Sequence, residues 1–160
     1  EKPTCVNSMV FHHVLITNRA GVVLLSRFFD GSSKLERFEW EGRLRAATEG
    51  EWGSVREEEP SVAFFGERFT VYTSIGDLLI FCTGSEEYDE LILVDVLNSF
   101  IGVLKLLCNK GAVNEAQVFE VYHKVQVCLD SMVNKGHIEY LDPVVLVKMS
   151  KLKWVGIEKK

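Results

Sequence analysis

The chain predicts an α+β fold, a five-stranded antiparallel sheet with helices on its faces, its elements running ββαβββααα. Three observations predict it. Phe11 to Phe29 is a pair of apolar runs flanking Asn18-Arg19-Ala20-Gly21, and Asn and Gly tolerate the left-handed angles of a tight strand-to-strand turn. Three further short apolar runs are punctuated by Gly66-Glu67 and Gly76-Asp77. After Asp89 the apolar residues recur at three- and four-residue spacing, the period of a helix.

In order, Met9 to Thr17 and Val22 to Phe28 form the opening hairpin. Ser32 and Ser33 are placed to cap a helix from Lys34 to about Thr48. Its apolar residues Leu35, Phe38, Leu44 and Ala47 define the expected inner face and leave Trp40 off it. Gly50, Gly53 and the acidic run Glu57-Glu58-Glu59 before Pro60 read as a solvated loop. Three strands follow, Val62 to Phe65, Phe69 to Ile75 and Leu78 to Thr83. Leu78-Leu79-Ile80-Phe81 is continuously apolar, the pattern of a mid-sheet strand covered on both faces. One face of the sheet therefore carries helices, and the other meets the remaining helices or a partner.

Asp89 to Asn109 is the longest helix. Leu91, Val94, Leu97, Ile101, Leu104 and Cys108 form one stripe; Leu93, Val96, Phe100, Val103 and Leu107 form a second, so the helix is expected between layers. Asn109-Lys110-Gly111 ends it. Another helix is expected from Asn114 to about Asn134, with Val118, Val121, Tyr122, Val125 and Leu129 on one side and Lys135-Gly136 as its stop. Asp142 caps the last helix and Pro143 enters its first turn. The apolar positions there are Val144, Val145, Val147, Leu152 and Trp154.

At 160 residues the chain fits a single domain over 1–160, and 47% apolar with 26% charged residues is ordinary globular composition. Leu91 to Cys108 carries Asp95, Asn98, Ser99 and Lys105, which excludes a membrane span. The opening EKPTCVNSM lacks the basic end and apolar run of a signal peptide. A formal net charge of −5, with no basic stripe alternating with aromatics, argues against a nucleic-acid partner. Lys148, Lys151, Lys153 and Lys159-Lys160 form the one basic cluster, read as a solvated helix end with an anionic membrane surface as the alternative. Cys5, Cys82, Cys108 and Cys128 are unevenly spaced and three lie in apolar runs, which reads as reduced, buried thiols of the cytosol.

Chemistry finds no foothold. None of the twelve glycines stands between a strand and a helix at phosphate-cradling offsets, so no nucleotide cofactor is expected. His12 and His13 are adjacent on a strand and face opposite ways; His123 and Cys128 diverge by roughly 140° around a helix. No metal site is expected. Cys82, in Ile80-Phe81-Cys82-Thr83, reads as a packed thiol rather than a nucleophile. Glu86, Glu87, Asp89 and Glu90 complement the positive end of the long helix, which accounts for them without acid–base work. No enzymatic activity is expected.

Element order resembles the longin, or SNARE-like, arrangement, and particular residues resemble the small (sigma) subunits of clathrin-type adaptor complexes from about Phe11 to Leu152. ITNRAG at 16–21 is similar to that family's strand–turn opening. Val71 to Ile80 resembles its signature of two aliphatics, Tyr, a basic residue, four of any type and Leu-Tyr-Phe. Tyr72 and Leu78 fit it, while Thr70, Thr73, Leu79 and Ile80 depart. Asp89-Glu90-Leu91, Asn98-Ser99-Phe100, Val103-Leu104, Val118-Phe119, Tyr122, Lys124-Val125, Leu129-Asp130, Met132, Gly136 and Glu139 continue the match in order. The departures imply a divergent branch, with coatomer zeta and the small subunit of the TSET (TPLATE-type) complex as neighbours.

The resemblance implies a non-catalytic, cytoplasmic subunit without cofactor, peripheral on coated membranes of the plasma membrane or the Golgi and endosomes. Its partners would be a large adaptin-like solenoid that grips it and the other subunits of a heterotetrameric adaptor in endocytosis or vesicle traffic. Some relatives hold acidic dileucine sorting signals in an apolar groove beside a basic residue. By position that groove falls on Leu78, Ile101 and the loop from Lys110 to Val113, and the basic residue falls on Leu24. The aliphatic half is retained and the charge-recognising half is not, so signal reading is not expected. The alternative is a longin-type module of a SNARE, a tether or a GTPase-exchange complex. A SNARE longin is followed by a heptad coiled coil; none follows in the residues up to Lys160, which favours the adaptor reading.

Overall fold

A computed structural model describes residues 10–57, 59–85, 88–108 and 112–151. The hairpin forms as its turn residues require: β1 (Phe11–Asn18) pairs antiparallel with β2 (Val23–Phe28), with a bulge between Ile16 and Thr17. The Asn18 side-chain oxygen accepts from the Ala20 and Val22 amides at 2.9 and 3.0 Å, while Gly21 takes φ +90°. Met9, placed in this strand from sequence, lies outside the described residues.

Ser33 caps α1 (Lys34–Thr48) in a reciprocal box with Glu36, as Ser at that position and Glu three residues on predict. The inner face of α1 is not the one the apolar residues define. Trp40, Leu44 and Thr48, at four-residue spacing, are buried, whereas Leu35 is 65% and Phe38 76% exposed and Ala47 is exposed too. A specific anchor decides the rotation. The Trp40 indole packs edge-on against Phe65 and donates to Nδ1 of the buried His13 at 3.2 Å, and the Arg68 guanidinium lies over its outer ring face. Nor is the following segment simply solvated. Glu49–Ser54 is a 3-10 helix that buries Trp52, whose Nε1 donates to Thr48 Oγ1 at 3.0 Å, with Val55 buried beside it. Glu58 lies outside the described residues.

The strands β3 (Ser61–Phe65), β4 (Arg68–Ile75) and β5 (Leu78–Ser85) complete an antiparallel sheet in the order β2-β1-β5-β4-β3. Every residue of β5 is buried, and the strand lies in the middle, as its unbroken apolar run predicts. The sheet divides the core in two. On one side β1, β4 and β5 pack Phe11, Val14, Ile16, Val71 and Ile80 against α2 (Glu90–Leu107). On the other, Leu15, Tyr72, Leu79 and Phe81 pack against Trp40, Leu44 and Trp52.

Asp89 caps α2, accepting from the Leu91 and Ile92 amides. Both stripes are largely interior, although Leu91 at its first turn is exposed. Glu86, Glu87 and the expected stop at Asn109-Lys110-Gly111 lie outside the described residues. The next predicted helix is two: α3 (Glu115–Glu120) and α4 (Tyr122–Met132), with Val121 out of helical geometry between them. It also ends before Asn134. Val133–Asn134 (β6) and His137–Ile138 (β7) form a small hairpin, because Lys135 and Gly136 both take positive φ, the geometry of a two-residue turn. That hairpin ties back to the sheet through Phe11 N–H donating to the Gly136 carbonyl at 2.7 Å.

Asp142 caps α5 (Pro143–Ser150), and Pro143 rests on Gly102 of α2, where a Cβ would lie 2.8 Å from its ring. The buried residues of α5 are Leu146 and Val147; Val144 and Val145, expected inside, are exposed because the chain crosses α2 at Gly102 and points them outward. Cys5, Leu152, Lys153, Trp154 and Lys159-Lys160 lie outside the described residues.

Candidate functional site

The four residues mapped onto the groove, Leu24, Leu78, Ile101 and Val113, all belong to the α2-side core, contributed by four separate segments. Each is at most 8% exposed. Leu78 begins β5, Ile101 is in the fourth turn of α2, and Leu24 is on β2. The segment carrying Val113 lies against the β4–β5 turn: a side chain at Gly76, which takes φ +59°, would collide with the Val113 carbonyl oxygen. Leu24, where a cation belongs in the sorting pattern, is core. Lys110 lies outside the described residues.

The titratable residues are engaged in structure. His12 and His13 do not face opposite ways as expected: an irregularity of β1 between Phe11 and His13 turns both towards the α1 side, where Arg68 lies between the Asp30 bonded to His12 and the Trp40 bonded to His13. His12 joins Asp30 at 2.7 Å and Ser85 Oγ at 2.9 Å, fastening β1 to the segment after β2 and to β5. Burial pushes the Asp30 carboxyl up, but hydrogen bonds from His12 and from the Ser32 hydroxyl and amide outweigh it and hold it well below the usual carboxylate range. Burial carries His13 from its ordinary 6.5 down to about 3, only partly opposed by the Asp30 charge. With its Nδ1 accepting from Trp40, His13 is the Nε2–H tautomer, donating to Ser26 Oγ at 2.9 Å; Ser26 in turn donates to Glu41. Histidine, serine and carboxylate thus line up, but His13 is buried and inert towards protons. Burial alone raises the Cys82 thiol far above its ordinary value, as its apolar setting predicts. Among the described residues no three His, Cys, Asp or Glu side chains converge as a metal site, and no helix is long and apolar enough to cross a membrane.

The surface holds what the sequence reading missed. Phe38 and Leu35, assigned to the core, stand outside α1, and Val62 and Phe64 face outward on the edge strand β3. Between α1 and the opening hairpin lies a pocket of about 290 Å³, with Leu15, Thr17, Trp52 and Phe81 inside and Val23 and Phe38 at its lip. The buried Trp at four-residue spacing from Leu44 was the available signal: choosing the Trp40–Leu44–Thr48 face turns Phe38 outward.

Comparison with known proteins follows the same line. The family model for the clathrin adaptor complex small chain matches residues 10–153. TSET complex member tstD of Dictyostelium discoideum is 33% identical over 90% of this chain and 94% of its own length. Coatomer subunit zeta-2 of Arabidopsis thaliana is 33% identical over 55% of this chain and 49% of its own. In structure, a chain in a homology model of the full-length AP-3 complex in a stretched open conformation aligns with a TM-score of 0.57. It is 18% identical and covers 88% of this chain and 90% of that one.

Proposed function

This chain belongs to the clathrin adaptor complex small chain family, and on that premise we propose that it is the non-catalytic small subunit of a TSET-type vesicle-coat complex. The observation that carries this is the similarity to tstD, which extends over nearly the whole of both chains, whereas the match to coatomer zeta-2 covers about half of each. In this reading a large adaptin-like solenoid grips the subunit, with further subunits completing the assembly, on the cytoplasmic side and peripheral to the membrane through the complex. The exposed apolar residues of α1 and β3 support it, since such surface favours a partner over water. The buried places of Leu24, Leu78, Ile101 and Val113 support a further point, that the subunit reads no acidic dileucine signal.

Co-expression with candidate large subunits, followed by tandem purification, tests the assembly reading. The expected result is a stoichiometric complex and higher soluble yield than for the chain alone. A stable, monodisperse monomer retained by no adaptin-like subunit would overturn it.

A further inference from the structure

The two edges of the sheet are finished differently. At one edge β2 carries Arg27, which bonds Gln126 and pairs with Asp130 of α4, and its Leu24 and Leu25 are buried. At the other, β3 has no charged residue, no proline and no bulge from Ser61 to Phe65, the devices by which edge strands ordinarily avoid further pairing. The turn after β3 fixes which of its backbone groups are free. Gly66 takes φ +66° and Glu67 does not take positive φ, the two-residue turn with glycine first, whose closing pair Phe65–Arg68 exchanges both ladder bonds. By alternation Ser61 and Ala63 bond to β4, while the N–H and C=O groups of Val62 and Phe64 point away from the sheet and bond to no described residue. The same two residues hold exposed apolar side chains, on the face of Val71 and Phe69.

The charge around this edge is mostly of one sign. Glu57 and Glu59 precede β3 and Glu67 follows it, all exposed, and Glu36 and Glu39 join Glu67 along a groove from the turn to α1. The guanidiniums of Arg43 and Arg68 in that groove lie over Trp40, and Arg68 also pairs with Asp30. A second copy of the chain fits poorly. The two-fold register that pairs Val62 with Phe64 sets Glu59 of each copy opposite Glu67 of the other, and like charges so placed repel.

We infer that the free edge of β3 receives an extended segment of another protein as an added strand, apolar at alternate positions and carrying lysine or arginine at its ends. A helix satisfies its own backbone and would leave the outward groups of Val62 and Phe64 unpaired, whereas a strand pairs with them. Its alternate side chains prolong the apolar row in which Phe64 meets Phe69, ring centroids 4.9 Å apart. Its basic ends meet Glu57 and Glu59 at one end of β3 and Glu67 and Glu39 at the other, which selects the partner by charge. Nothing in this requires the assembly reading above.

The test is titration of a blocked peptide of alternating threonine and valine with two lysines at each end into the full chain, followed by amide chemical shifts and hydrogen exchange. The same peptide with glutamates at its ends is the comparator. Shifts and slowed exchange are expected at Val62 and Phe64. The lysine-ended peptide binds about tenfold tighter at low salt, and the difference shrinks as salt rises. Val62→Pro removes an outward N–H, keeps the bonds to β4 and abolishes binding, with an unfolding midpoint close to wild type. Glu59→Lys with Glu67→Lys leaves the strand intact and reverses the preference between the two peptides, which keeps the test decisive if the proline variant fails to fold. Equal affinity for the two peptides, shifts confined to other elements, binding undiminished in a folded Val62→Pro, or no binding at millimolar concentration overturns the inference. So does a concentration-dependent dimer that Val62→Pro dissociates, since the edge then belongs to a second copy.

Discussion

His13 is the residue whose surroundings most constrain it. A second proton would have to sit on Nδ1, which already accepts the Trp40 N–H, so protonation sets donor against donor in a buried site. The folded-state value, about 3, lies below the unfolded 6.5, so the unfolded chain binds the extra proton between them. Stability is therefore full above pH 6.5 and falls as the pH drops towards 3, by about 1.4 kcal/mol per unit from this group. Urea unfolding from pH 7 to 4.5, wild type beside His13→Gln, measures it: the variant is expected to lose that part of the slope. Leu24 gives the second prediction at this scale. A guanidinium placed in its buried site lacks a counter-charge, and Leu24→Arg is expected to cost about 3 kcal/mol or more in thermal unfolding. By contrast Cys82→Ala removes a small packed thiol and is expected to cost about 1 kcal/mol. That the thiols pack inside was legible from the apolar runs around them. The partner of His13 was not, because a histidine in a strand carries no record of which distant indole it will meet.

Among the elements, legibility followed how much of the outcome was local. The opening hairpin, the capping box and the central position of β5 depend on adjacent residues or on one strand's own pattern, and all were readable. The rotation of α1 depends on a contact with β1 and β3, and the apolar count pointed to the wrong face. The consequence is measurable as a reversal of expectation. Trp40→Ala should destabilise by about 3–5 kcal/mol, as large aromatic truncations in cores do. Phe38→Ala should stay within about 0.5 kcal/mol. Denaturant midpoints of the two variants decide the matter; similar losses would mean that both faces are engaged. The early end of α4 was missed for a related reason. Lys135-Gly136 reads equally as a helix stop or a hairpin turn, and the choice is made by the pairing of Val133 with Ile138.

For the whole molecule, the groove residues could be named from sequence but their accessibility could not, since burial of Leu78, Ile101 and Val113 depends on how α2 and the segment before α3 settle over the sheet. The assembled complex is expected to bind an acidic dileucine peptide weakly or not at all through this subunit. Tight binding that Ile101→Ser abolishes, read by peptide titration, would show that the core opens to cargo. The strand order carries one more consequence, for the birth of the chain. Val14 pairs with Cys82, so the first strand reaches its second neighbour only after α1, β3 and β4 have been made. On the ribosome the opening hairpin therefore waits with one edge bare while the middle of its own sheet is still being translated. Closing so distant a pairing is slow compared with forming either hairpin. A nascent chain stalled before residue 78 should be held by chaperones, and one extended past residue 85 should be released from them.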